Sequence, residues 1–274
     1  MRHGAGELVR ELSSSFRFLP AFIRTVGAGV LLIVARMGRM GIFLFDTMLY
    51  AVMPPIKVAR VLKQIRFIGF QSAPLIALTG ATTGMVLSFQ LYYALASAGS
   101  TALLGPSVAL TLLRELGPLF AALMVVARVG SSIAAELGVM RIREEIDALE
   151  LMGLNPFRYL IVPNMIAALI CVPLLTAMFD VVGIFGGYLV GVKLLGVGSG
   201  TYFGNMTDYV KMTDVTYGMY KALCFGGIIA WISTYKGFYS GFGPEGVGRA
   251  TTQAVVLSSV LVIVSDYVLT SVMW

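Results

Sequence analysis

The sequence predicts an all-α integral membrane protein, and three observations carry that reading. Of its 274 residues 58% are hydrophobic and only 12% charged, with a mean hydropathy of +0.86. A soluble domain of this length needs far more charge on its surface. Residues 67–113 contain no Asp, Glu, Lys or Arg, and 159–179 and 250–265 are two further uncharged runs. A helix needs about 20 apolar residues to cross the hydrocarbon core, where its backbone groups must be satisfied internally. Finally, the basic residues crowd one end of the chain, as the positive-inside rule describes for cytoplasmic segments.

That distribution suggests two regions. Residues 1–66 hold ten of the 20 Lys and Arg against Glu7, Glu11 and Asp46 alone. They read as a basic, amphipathic, interfacial region, and 67–274 as the transmembrane domain. Within 31–52, Arg36 and Arg39 share a helix face. This stretch fits a helix lying on anionic headgroups in the cytoplasmic interface; a first span is the rival reading. After Pro54 and Pro55, Lys57, Arg60, Lys63 and Arg66 form a basic stripe leading into the membrane.

About five transmembrane helices are expected, near 68–97, 106–138, 158–195, 216–237 and 249–272. The basic N-terminal region and the loop 139–157 then face the cytoplasm and Trp274 faces outward. Lys193 and Lys211 are exceptions on the outer side. Gly80 and Gly84, extended by Ala73 and Ala77, and the ridge Gly183, Gly187, Gly191 permit close helix approach. Packing within one subunit and dimerisation both explain them.

Several chemistries are excluded. Cys171 and Cys224 sit in apolar segments as small buried hydrophobes, with no CxxC or disulfide framework. The single histidine, His3, leaves no basis for a His-based metal site or a His-assisted nucleophile, so neither a metal nor a catalytic residue is expected. GxxxxGK[ST] is absent, which places any ATP hydrolysis in another chain. No cleavable signal peptide is read at the N-terminus, and no nucleic-acid partner is expected.

The segment Arg141 to Gly153 is the exception to the apolar pattern, with six charges in thirteen residues. Ile142, Ile146 and Leu149 form an apolar stripe at i, i+4, i+7. Glu144, Glu145, Asp147 and Glu150 lie mainly off it, and Gly153 with Asn155-Pro156 supplies the stop. One reading is a solvated helix that links two spans. The other is a coupling helix that docks on a cytoplasmic ATPase through Glu144, Glu145, Asp147, Leu149, Glu150 and Met152.

Charges inside the spans form a second candidate set: Arg114, Glu115, Arg128, Glu136, Asp180 and Asp266. Such residues are costly in lipid and face the bundle interior. On an ideal helix Arg114 and Arg128 lie within about 40° of each other. Internal ion pairing, for instance with Asp180 or Asp266, is one account. The other sets Arg114 against a phosphate, which its fixed fork of donors suits, while Arg128 and Glu136 brace the cytoplasmic end. Leu87, Gln90, Leu91 and Ala94 share a face that fits either an acyl-chain groove or ordinary helix packing. Tyr92 and Tyr93 read as aromatic-belt anchors.

A longer resemblance then emerges. Leu113-Arg114-Glu115-Leu116-Gly117-Pro118, Ala127-Arg128-Val129-Gly130-Ser131, Ala134-Ala135-Glu136-Leu137-Gly138-Val139-Met140-Arg141 and Glu145-Ile146-Asp147-Ala148-Leu149-Glu150-Leu151-Met152-Gly153 follow in the order of the MlaE/YrbE permeases. Asn155-Pro156-x-Arg158-Tyr159-x-x-x-Pro163 and Gly248-Arg249-Ala250-Thr251-Thr252 continue it. Asp147-Ala148-Leu149-x-x-x-Gly153 also resembles the acid-Ala-Ala-x-x-x-Gly loop of ABC importer permeases. The match runs from about residue 70 to the C-terminus; the first 60 residues match in character only.

The resemblance implies an ABC permease in the bacterial inner membrane. It would work as a homodimer with two ATPase subunits, and with an MCE-domain protein ring on the outer side and phospholipid as cargo. This chain would hold no cofactor, ATP and Mg residing in the ATPase. The alternative from another class is an ion-coupled secondary transporter, motivated by the intramembrane carboxylates. No inverted repeat with matched broken helices supports it. An intramembrane enzyme lacks both a metal cluster and a histidine base.

Overall fold

Long uncharged stretches become long helices. A computed structural model describes residues 27–29, 31, 34–52 and 58–273. Among them there is no β-strand, and six helices are long and apolar enough to cross a membrane. In chain order these and two shorter helices are α1 (Gly27–Val52), α2 (Val58–Ser97) and α3 (Thr101–Ile142), the short α4 (Glu145–Leu151), α5 (Phe157–Leu194), α6 (Ser199–Tyr209), α7 (Met212–Phe238) and α8 (Gly243–Met273). Five correspond to the expected spans. The sixth, α1, contains the stretch read as interfacial, and its length and apolarity fit the rival reading of a first span. Of the expected basic region, 58–66 with Arg60, Lys63 and Arg66 forms the start of α2, while the remainder, including His3 and Lys57, lies outside the described residues.

The described residues divide into two compact units at Leu49–Tyr50. In the second unit α5 is the central helix, with Val172, Phe179 and Gly183 all buried along it. Its partner is α2, and glycine brings the two backbones together: a Cβ on Gly84 would run into the Gly183 carbonyl, and one on Gly186 into the Ala81 carbonyl. The small-residue ridges therefore serve packing inside one subunit, where close approach yields dispersion contacts that lipid cannot supply. On α7, Gly218 faces the Leu113 carbonyl of α3 in the same way.

Among the described residues five π-helical turns lie in the long helices, two of them at the ends of α5. Three of them, Arg66–Phe70 in α2 and Leu112–Leu116 and Val126–Gly130 in α3, bear on the site. Each inserts a residue into a turn and so rotates the side chains beyond it. The charged loop is also shorter than its sequence pattern implied: α3 runs through Ile142, and only Glu145–Leu151 forms α4. Glu144 separates the two in a left-handed conformation, φ 57°, so Ile142 belongs to the preceding helix and not to the α4 stripe.

Candidate functional site

The π turn Leu112–Leu116 turns two adjacent charged residues, Arg114 and Glu115, towards α7 and α8. Gly218 lets α7 come close enough to receive them. Lys221, 1% exposed, is the centre of the result. Its Nζ donates to Oε2 of Glu115 at 2.8 Å, to the Arg114 carbonyl at 3.0 Å and to Oγ1 of Thr270 at 2.7 Å. Oδ1 of Asp266 lies 3.1 Å away as an ion-pair partner. Arg114 Nε donates to Oδ1 of Asp214 at 2.9 Å, with Nη2 2.8 Å from the same oxygen. Oδ2 of Asp214 accepts from the backbone N–H of Lys211 at 2.9 Å, which ties the start of α7 to the pair.

Two cations and three carboxylates thus lie together inside an apolar bundle. Each charge has an ion-pair partner, as burial requires. Exposure is uneven: the Lys221 and Asp214 side chains are 1% and 3% exposed, Arg114 and Glu115 33% and 38%. The cluster therefore has a dry floor and an open rim formed by a guanidinium and a carboxylate, the guanidinium suited to a phosphate.

The other candidates are distributed as follows. Arg128 joins no cation cluster with Arg114. It donates to Oγ of Ser72 at 2.6 Å and to Oε1 of Gln71 at 3.2 Å, bracing the turn where α2 breaks. Asp180 forms no ion pair among the described residues. Asp180 is 6% exposed, with its carboxylate packed where a Gly117 Cβ would otherwise stand. Asp266 pairs with Lys221 and not with an arginine. Glu136 is exposed and opens onto a cavity near α4. On α2, Leu87 and Leu91 are half-buried while Gln90 and Ala94 are exposed. Asp214 and Lys221 were missed from sequence; a lone lysine in the apolar segment 215–232 was the available signal.

On α4 the stripe faces inward: Ile146 is fully buried and Leu149 is 7% exposed. Leu149 therefore anchors the helix to the bundle, and a docking partner would meet other residues. Glu144, Glu145, Asp147 and Glu150 are exposed, and Asp147 accepts from Arg141 Nη1 at 2.6 Å. Beyond them Leu151 is 90% and Met152 66% exposed, an apolar tip projecting from a charged helix. Between Arg114 and Ile142, α3 extends roughly 40 Å at 1.5 Å per residue. One helix thus carries the charge cluster near one end and delivers α4 at the other.

A polytopic helical bundle with a charge cluster towards one end of α3 and a short, exposed, charged helix at the other is an arrangement that fits a membrane permease. The family model Permease MlaE matches residues 61–272, and the chain belongs to that family of ABC transporter permeases. It is 43% identical over 246 residues to a "Probable ABC transporter permease protein" of Rickettsia bellii, covering 90% of this chain and 95% of that one. It is 37% identical over 254 residues to the "Intermembrane phospholipid transport system permease protein MlaE" of Haemophilus influenzae, covering 92% and 97%. The Arabidopsis thaliana protein TRIGALACTOSYLDIACYLGLYCEROL 1 is 34% identical over 210 residues, covering 77% of this chain and 60% of its own length.

Proposed function

We propose that the chain is the membrane-spanning subunit of an ABC-type phospholipid transporter of the bacterial inner membrane. ATP hydrolysis by a partner ATPase would drive lipid between that membrane and an MCE-domain protein on the outer side. The observation that carries this reading is the placement of the Lys221 cluster and of α4 on opposite ends of α3. The similarity to the intermembrane phospholipid transport permease of Haemophilus influenzae supports the substrate class.

In this reading two copies enclose the cargo between them. The lipid phosphate meets Arg114 at the open rim, and the acyl chains lie along the α2 face of Leu87, Gln90, Leu91 and Ala94. Glu144, Glu145, Asp147 and Glu150 meet basic residues of the ATPase, while Leu151 and Met152 enter an apolar recess there. Closure of the ATPase pair pushes α4, and Leu149 and Ile146, buried in the bundle, pass the displacement to α3. Its two π turns are the points at which the helix can change register, as such turns do at functional sites. The cluster around Lys221 is then rearranged and the cavity opens or collapses.

The test is reconstitution of the full complex in proteoliposomes with a fluorescent phospholipid. ATP-dependent transfer to the MCE protein that survives collapse of ion gradients, and that is lost in Arg114→Ala, is the expected result. Transfer driven by an ion gradient without ATP would overturn the proposal in favour of a secondary transporter.

A further inference from the structure

At the α4 end of the bundle, remote from Lys221, α2, α3 and α5 enclose an open cavity of about 730 Å³. Its wall brings Arg60 and Lys63 from α2 together with Glu136 from α3 and Asn164 from α5, and the Arg143–Glu145 ion pair, 3.7 Å, lies at its α4 edge. Arg60 is held in place: Nη1 donates to the Tyr159 carbonyl at 2.9 Å, and the guanidinium lies 2.9 Å from the centre of the Tyr159 ring. Among the described residues Lys63 and Glu136 make no hydrogen bond and no ion pair within 4 Å, and the Glu136 carboxylate attracts Arg60 across the cavity. Asn164 is 4% exposed. Its amide nitrogen donates to the Leu160 carbonyl at 2.9 Å, but Oδ1 receives no donor.

A buried acceptor without a donor is costly, and an N–H or O–H donor would satisfy it. The cavity thus presents two complementary halves. Arg60 and Lys63 supply donors and positive charge for a phosphate. Glu136 and Asn164 Oδ1 supply acceptors, one of them anionic, for an ammonium. A purely anionic group would meet repulsion from Glu136, and a purely cationic one would meet Arg60 and Lys63.

We propose that this cavity binds a phosphoethanolamine group, its phosphate against Arg60 and Lys63 and its ammonium against Glu136 and Asn164. Two molecules carry that chemistry, a phosphatidylethanolamine in the membrane and soluble glycerophosphoethanolamine. Binding here needs neither ATP nor the Lys221 cluster, so it stands or falls separately from the transport reading.

The experiment is native mass spectrometry of the delipidated full chain in detergent, titrated with phosphatidylethanolamine and, separately, phosphatidylglycerol. Lys63→Gln and Glu136→Gln alter exposed side chains, and their melting temperatures are measured alongside to verify the fold. Lys63→Gln is expected to weaken both lipids about fivefold, and Glu136→Gln to weaken phosphatidylethanolamine about fivefold while leaving phosphatidylglycerol equal or tighter. Unchanged phosphatidylethanolamine binding in both variants would overturn the proposal, as would equal weakening of the two lipids by Glu136→Gln. Given the expected pattern, displacement by equimolar glycerophosphoethanolamine assigns the site to the soluble ester. Failure to displace assigns it to the lipid.

Discussion

Lys221 Nζ and Glu115 Oε2 stand 2.8 Å apart across the α7–α3 contact, and Asp266 closes on the same ammonium from α8 at 3.1 Å. One cation therefore pins three helices at a single level of the bundle. Removing it leaves two carboxylates facing each other with little solvent between them. Lys221→Met should cost about 3 kcal/mol, the low end for a broken buried pair because Glu115 retains some solvent. The double variant Lys221→Met with Glu115→Gln should recover part of that loss. Thermal unfolding in detergent checks both; a single variant as stable as the parent would refute the pinning role.

Helix contact between α2 and α5 makes a sharper steric prediction. Gly84→Ala places a methyl group into the Gly183 carbonyl, whereas a Cβ on Gly248 meets nothing within 4 Å. Overpacking of a tight contact costs roughly 1–3 kcal/mol. Gly84→Ala should lower the melting temperature clearly, and Gly248→Ala, in α8, should hold it level or raise it slightly through helix propensity. Equal behaviour of the two variants would contradict the close approach.

The exposed end of α4 separates docking from folding. Leu151→Glu and Met152→Glu should leave the stability of the isolated permease unchanged yet reduce co-purification of its ATPase. Leu149→Glu should instead destabilise the permease itself, because it buries a charge in a site that is 7% exposed. Pull-down and melting curves on the same three preparations decide the matter. ATPase retained by both tip variants would exclude them from the contact.

Glu144 is the one non-glycine residue with positive φ among the described residues, at 57°. A left-handed conformation costs an L-residue roughly 1–2 kcal/mol, and glycine almost nothing. Glu144→Gly should therefore stabilise the turn or be neutral, while the β-branched Glu144→Val should destabilise it by about 1 kcal/mol or more. Melting temperatures of the pair provide the check, and a more stable valine variant would count against the turn geometry.

How the charges find partners was only partly legible from sequence. The intramembrane acids and arginines stand out because ionic groups in apolar segments are rare and must face inward. Their pairing does not follow from helical-wheel arithmetic. Counting 100° per residue sets Arg114 and Arg128 on one face, but the π turns at Leu112–Leu116 and Val126–Gly130 alter the rotation. Arg114 turns to Asp214 on α7, and Arg128 to Ser72 on α2. A lone lysine five residues inside a span can equally snorkel to the interface, so nothing local marks Lys221 as the ion that meets Glu115, Thr270 and Asp266.

What the sequence determined by itself is the class of fold, the spans α2, α3, α5, α7 and α8, the charged segment between α3 and α5, and the family. These follow from local composition and ordered motifs, since a backbone in lipid has no option but the helix. What the tertiary structure decided is which groups meet. The three-helix clasp on Lys221, the inward face of Leu149, the role of Gly84 within one subunit and the mixed-charge cavity at Asn164 all depend on contacts between segments distant in the chain. Such contacts are set by helix register and by backbone approach at glycine, and neither quantity is encoded in any one segment.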